Sequence, residues 1–252
     1  MTDVKVEKKG SVAVVTLSSK SGLNYMDVNA LRLLSREVEK LDVDDDSVRT
    51  IVLRGSEKAF SSGIDPTYFV RNVNAEVLDE MFENFDKIAN VKKVTIAEAS
   101  GYAVGIGFEI ALACDMLFCS DNTWFSAPDL SLGTVAGFGV SQRLPKAIGK
   151  AKTMEMLLTG RAMGAEEAER IGLVSRVIPL SYLHKEVLKV ADIIASMPNA
   201  VLATSKELIK TAIGNTGLAE GLEIEKQVYK NNFDSDEYRV NLENMVKNGK
   251  NR

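Results

Sequence analysis

One histidine, two cysteines, one tryptophan and five prolines are all that 252 residues contain of those types, and each scarcity closes off a class of chemistry. The single histidine, His184, sits in the polar context Tyr182-Leu183-His184-Lys185-Glu186. A nucleophile–histidine triad would have to use it, and no Gly-x-Ser-x-Gly elbow accompanies it, so a solvated helical histidine is expected. Zinc sites built on His and Cys are hard to assemble from this inventory. Cys114 and Cys119 lie in an apolar run and are too few for a disulfide framework; a reducing, cytoplasmic setting is expected. No apolar run approaches the roughly 20 residues that cross a bilayer. The N-terminal MTDVKVEKKG has no apolar core, so no secretory signal is expected there. The formal net charge of −4 shows no basic excess, and neither a nucleic-acid nor a membrane partner is expected. Acid–base chemistry at neutral pH is left to carboxylates.

What is present is ordinary for a globular chain: 45% hydrophobic and 26% charged residues, enough for a large core. Val4–Lys8 and Val12–Leu17 read as strands around a Gly10-Ser11 turn. Apolar residues recur at helical spacing through Val28, Leu31, Leu34, Val38 and Leu41, with Asp27 as N-cap. Val48–Leu53 reads as a buried strand and Gly55–Asp65 as a loop. Ala75–Asn90 is an amphipathic helix, and Met116–Cys119 another short strand. Trp124–Pro145 is too irregular for one helix. Lys150–Thr159 and Ala165–Ile171 read as helices stopped by Gly160 and Gly172, with a strand over Leu173–Ile178. Beyond Pro179 four helices are expected, Leu180–Ser196, Ala200–Ile213, Leu218–Asn231 and Asp236–Lys247. The pattern is an α/β core over residues 1–197 and a helical C-terminal region over 198–252.

The chain is organised around Ala97–Asp115, AEASGYAVGIGFEIALACD. It reads as a buried strand, a glycine turn and the start of a buried helix that carries one carboxylate, Glu109. Helix-start N–H groups have no partner in the helix and can donate to an anion or a polarised carbonyl. Two plainer readings stand beside that one. A dinucleotide loop lacks its third glycine, since Ile110 stands there. Alternatively the glycines serve packing and Glu109 caps the first turn of its helix.

Three motifs resemble those of the crotonase superfamily, the enoyl-CoA hydratase/isomerase fold family. Ala59-Phe60-Ser61-Ser62-Gly63-Ile64-Asp65 looks like that family's A-F-S-A-G-A-D. Gly101 through Glu109, followed by Cys114-Asp115, is similar to its G-Y-A-L-G-G-G-C-E and C-D. Pro128-Asp129, Leu132-Gly133 and Gln142-Arg143-Leu144-Pro145 resemble its P-E, L-G and Q-R-L-P. The resemblance runs on through Leu158-Thr159-Gly160-Arg161 to Gly172-Leu173-Val174 and spans nearly the whole chain in order.

The resemblance implies a spiral of β-β-α turns with C-terminal helices that trimerise, commonly paired into hexamers. It implies an enoyl-CoA hydratase of fatty acid metabolism, with an enoyl-CoA isomerase as the alternative and a catalytically weak acyl-CoA-binding subunit as a third reading. The backbone N–H groups of Ile64 and Ile106 would form an oxyanion hole, and Glu109 and Asp129 would be the catalytic acids. Asn24, Tyr25, Met26, Ser62, Gly63, Asp65 and Gly105 would line the CoA thioester, with Lys247 and Lys250 candidates for its phosphates. No cofactor beyond the substrate's own coenzyme A is implied, and no metal. Two departures matter. Asp129 stands where hydratases have Glu, one methylene shorter, and Ile106 replaces a central glycine, which is expected to narrow the pocket beside the hole.

Overall fold

A computed structural model describes residues 1–214 and 216–249. The chain separates into two compact units, Met1–Leu202 and Ala203–Arg252. The first opens with a hairpin, β1 (Asp3–Lys9) against β2 (Val12–Ser18), in which Lys9 pairs with Val12 across a two-residue turn. Helix α1 (Val28–Glu39) follows, its Asp27 carboxylate accepting from the Ala30 N–H at 2.8 Å. A wider π-helical turn, Lys40–Asp44, extends it.

Then a unit repeats. β3 (Thr50–Arg54) leads to β4 (Ala59–Ser61), then to α2 (Pro66–Asn72) and α3 (Ala75–Ala89). β5 (Val94–Ala99) leads to β6 (Tyr102–Val104) and α4 (Ile106–Ala113). β7 (Met116–Ser120) leads to β8 (Trp124–Ser126), a 3₁₀ turn over Asp129–Leu132 and α5 (Val140–Thr159). The first strand of each repeat joins one sheet and the second joins another. One six-stranded sheet runs β1-β2-β3-β5-β7-β10, closed by β10 (Arg176–Ile178). A four-stranded sheet runs β4-β6-β8-β9, closed by β9 (Met163–Gly164). Within the repeats, β3, β5 and β7 are parallel, and so are β4, β6 and β8. The ends of β4, β6 and β8 therefore emerge on one side of the molecule.

The long strands read as continuous apolar runs because both their faces are covered. One face of β2 gives Ala13 and Val15 to the main core, which also holds Phe60, Phe108 and Phe125. The other gives Val12 and Val14 to a smaller core with Val52, Ile96 and Phe118. Each fully buried phenylalanine contributes roughly 1.5–3 kcal/mol. After α6 (Ala165–Arg170) and β10, α7 (Leu180–Ala195) covers the smaller core through Leu183, Val187 and Ala191. The first unit ends within α8 (Asn199–Ile213). The second holds α9 (Leu218–Phe233) and α10 (Asp236–Gly249).

Several local expectations change. The loop Gly55–Asp65 contains β4, and the next seven residues form α2, with Asp65 as N-cap and Pro66 in its first turn. The helix expected over Lys150–Thr159 is the second half of α5, whose two halves meet at the non-helical Gly149. The strand expected over Leu173–Ile178 shortens to Arg176–Ile178.

His184 is not simply solvated. Its Nδ1 lies 2.8 Å from Oε2 of Glu98, a residue of β5 only 3% exposed, whose Oε1 is 3.1 Å from Arg54 Nε. A buried carboxylate loses stability when a partner is removed. His184→Ala is expected to cost about 1–3 kcal/mol, read as a melting temperature several degrees lower. An unchanged melting curve would show the contact to be idle.

Candidate active site

The loop that leaves β4 is held from two sides. Ser62 N–H donates to Leu23 O and Met26 N–H donates to Gly63 O, each at 2.8 Å. Asn24, in a left-handed conformation and fully buried, donates from Nδ2 to Ala59 O at 2.8 Å and accepts from Ser19 Oγ at 3.0 Å. Its side chain is therefore consumed in shaping the loop, and Met26 is likewise fully buried. The Gly63 N–H donates to Ser61 Oγ at 3.2 Å. With both polar groups of Gly63 engaged, the next donor is Ile64 N–H, which has no acceptor among the described residues.

The end of β6 presses against that loop. Gly63 has φ +81°, and a Cβ there would stand 2.8 Å from Val104 O. A Cβ on Gly107 would stand 2.6 Å from Ser61 Cβ. Neither position admits a side chain, and this lets two backbone turns cross in contact. Ile106 opens α4, whose N-cap Gly105 offers no side-chain acceptor, so the Ile106 N–H has no partner within the helix. Two unpaired N–H groups thus sit on adjoining strand ends. The Ile106 side chain is 3% exposed and packs in the main core.

Glu109 is one turn into α4 and 1% exposed. It does not cap its own helix. Its Oε1 accepts from the N–H of Phe138 at 3.0 Å and of Val140 at 3.1 Å, where α5 begins. No hydrogen bond to Oε2 is found among the described residues. Burial, with the Asp129 charge adding to it, pushes the Glu109 carboxyl up to about 7 against the pull of those two N–H groups and of Arg143. Asp129 starts the 3₁₀ turn after β8. Burial raises its carboxyl as well, and its Oδ2 is buried without a hydrogen-bond partner. Each acid keeps one oxygen without a hydrogen bond among the described residues, and the Asp129 charge bears on Glu109; acids coupled in this way can carry a single proton between them.

The other expected ligands are placed unevenly. Ser62 Oγ is buried and unpartnered beside Ile64. The Asp65 carboxylate is engaged as the cap of α2, accepting from Thr67 N–H at 2.8 Å, which leaves its main chain for a ligand. Tyr25 and Asp65 share a cavity of about 230 Å³ with Tyr68 and Ser19. A wider hollow of about 700 Å³, lined by Leu130, Ser131, Thr134 and Leu158, holds neither acid. Lys247 is exposed on α10, 3.7 Å from Glu243; Lys250 lies outside the described residues. Among the described residues no three His, Cys, Asp or Glu side chains are grouped to hold a metal ion. The donors to Glu109, Phe138 and Val140, were not foreseen, because a backbone N–H leaves no trace in residue type. The only hint was the glycine pair flanking Phe138.

The sequence model of the family described as Enoyl-CoA hydratase/isomerase matches residues 7–251. This chain belongs to that family. It is 38% identical over 246 residues to a protein named probable enoyl-CoA hydratase in Rhizobium meliloti, covering 96% of this chain and 93% of the relative. It is 31% identical to the mitochondrial enoyl-CoA hydratase of Pongo abelii, covering 96% and 83%. Among solved structures, an enoyl-CoA hydratase subunit of Geobacillus kaustophilus superposes with TM-score 0.90 at 30% identity, over 97% of this chain and 95% of that one. A Thermobifida fusca protein solved in complex with acetoacetyl-CoA gives 0.83 at 28% identity, over 91% and 94%. The two sheets wound by β-β-α repeats are the crotonase fold, and the enoyl-CoA hydratase/isomerase family supplies the context in which the acids are to be read.

Proposed function

We propose that the chain is an enoyl-CoA hydratase that adds water syn across the 2,3 double bond of a 2-enoyl-CoA thioester. What supports the mechanism is that two buried acids with raised carboxyls, Glu109 and Asp129, and the unpaired N–H groups of Ile64 and Ile106 all stand on the segments that follow β4, β6 and β8. The thioester oxygen accepts from the two N–H groups. Water held between the acids bonds through its oxygen to C3, and the double-bond electrons move to the thioester oxygen as an enolate. The ionised member of the pair takes the water's proton, and the protonated member gives its own to C2. The pair again carries one proton, now on the other member, and its passage back between the two acids restores the starting state. Preorganised donors of this kind are worth about 3 kcal/mol each in the transition state.

The shorter Asp129 favours a second reading, in which Glu109 alone shuttles a proton between C2 and C4 as an isomerase. A subunit that binds acyl-CoA with little turnover is the third. Crotonyl-CoA mixed with the protein separates them. Loss of enoyl absorbance with formation of the 3-hydroxy thioester supports hydration. Conjugation of a 3-enoyl-CoA without water uptake selects the isomerase. Tight binding without turnover of either leaves only the third.

In this reading the main chain around Asn24–Met26 and Ser62–Asp65, with Gly105, lines the pantetheine path. The complex of the Thermobifida fusca relative with acetoacetyl-CoA supports that class of ligand. Lys247 is kept as a phosphate contact. No cofactor beyond the substrate's coenzyme A is required. A homotrimer or dimer of trimers, a cytoplasmic location and a place in fatty acid metabolism complete the proposal. Light scattering that returned a monomer would overturn the assembly.

A further inference from the structure

Glu109 is held by a turn that itself needs holding, and the residue that holds it is Arg143. The Phe138 and Val140 N–H groups converge on one carboxylate oxygen because Gly139 between them has φ +102°. Arg143 on the first turn of α5 folds back over this turn. Its Nη1 donates to Phe138 O at 3.0 Å and lies 1.9 Å from where a Gly139 Cβ would be. Its guanidinium sits 5.5 Å from the centre of the Phe85 ring, and Phe138 packs on Phe85 and Phe82 with ring centres 5.4 and 4.7 Å away. A planar guanidinium can stack on a ring and donate to a carbonyl at once, which an ammonium cannot do as well.

We propose that Arg143 is the positioning residue for Glu109, locking the Phe138–Val140 turn that aims the carboxylate. This rests on Glu109 being an acid–base group of the proposed reaction. The charged groups bearing on Glu109 are Asp129 from the 3₁₀ turn and Arg143 from α5. The face that α3 buries offers Met81, Asn84, Phe85, Ile88 and Ala89, and β4 offers Ala59, Phe60 and Ser61, none of them charged. β6 adds Tyr102, Ala103 and Val104, none of them an acid or a base that carries charge at neutral pH. Loss of Arg143 thus removes the positive charge that bears on Glu109 and leaves the Asp129 charge, which opposes ionisation.

Arg143→Met keeps the stem against Phe85 and removes the fork and the charge; Arg143→Lys keeps the charge alone. With crotonyl-CoA, Arg143→Met is expected to lower kcat roughly 10- to 100-fold, the scale of a misaimed group, with KM within twofold. The basic limb of its kcat/KM profile should move to higher pH. Arg143→Lys should restore the limb but only part of kcat. Gly139→Ala, which displaces the guanidinium by contact, should reproduce the loss of kcat in a chain that keeps Arg143. Infrared titration of the Glu109 carboxyl in the ligand-free protein gives a readout that needs no turnover. An upward shift in Arg143→Met supports the positioning role even if the parent hydrates no enoyl-CoA. An unmoved titration together with a parent-like pH profile, or a loss of thermal stability alone, overturns it.

Discussion

Glu109→Gln is expected to lower kcat/KM for crotonyl-CoA hydration by about a thousandfold, within the range that a positioned acid–base group supplies, while making the folded chain more stable above neutral pH. Both effects come from one cause. Glu109 is 1% exposed, and burial with the Asp129 charge lifts its carboxyl from 4.5 to about 7. A carboxyl whose folded-state value is raised binds its proton more tightly in the folded chain than in the unfolded one. The stability it confers is full below about 4.5 and is lost as pH rises through about 7. Carrying the charge above that window costs roughly 3 kcal/mol, at 1.36 kcal/mol per unit. Glutamine pays nothing there, and its amide oxygen still accepts from Phe138 and Val140. Urea unfolding of parent and variant at pH 5 and pH 8 should show the variant's advantage growing across that interval. Equal midpoint differences at both values would refute a buried, titrating Glu109.

The same value sets the activity profile. Hydration needs one proton on the pair, so kcat/KM should fall on the alkaline side as pH passes about 7 and the last proton leaves. The acidic limb belongs to the second protonation and lies above the ordinary 3.8 of an aspartate, because burial raises Asp129 too. A profile flat from pH 5 to pH 9 would contradict the shared proton.

Much of this architecture was legible in the residues, and the illegible parts share a reason. The buried strands of the large sheet announce themselves as apolar runs, and Gly10, Gly160 and Gly172 mark the places where elements stop. The strands of the small sheet do not. Ala59–Ser61, Tyr102–Val104 and Trp124–Ser126 are three residues long, too short for a period-two pattern to emerge. Those short strands place the site, so its residues could be assembled only through resemblance to a family. The polar neighbours of His184 on α7 point to solvent and conceal one contact inward, to Glu98 on β5, 86 positions away. Arg143 stood in a recognised motif with no task attached. Its partners are the carbonyl of Phe138 and the face of Phe85, and neither a carbonyl nor a packing geometry is written in residue type.

The oxyanion hole yields the other large effect, and it must be probed where the backbone is vulnerable. Ile64 and Ile106 are poor targets, because any residue but proline keeps the N–H. Gly63 is the better one. Alanine at φ +81° costs about 1–2 kcal/mol, and its Cβ would stand 2.8 Å from the oxygen of Val104, a backbone atom that cannot swing away. To relieve that contact the ends of β4 and β6 must part, and Ile64 follows Gly63 directly while Ile106 follows Val104 by two residues. The donors then no longer converge on one oxygen. Gly63→Ala is expected to lose roughly 100- to 1,000-fold in kcat, the loss found when one oxyanion donor is removed. Gly172→Ala is a control with nearly the same φ, +80°, but open space around the added Cβ and no part in the site, so it should lose stability and keep its turnover. The measurement is kcat on crotonyl-CoA for both variants, at a temperature where circular dichroism shows both folded. If Gly63→Ala turns over within a few-fold of the parent there, the N–H groups of Ile64 and Ile106 do not act together on the thioester oxygen.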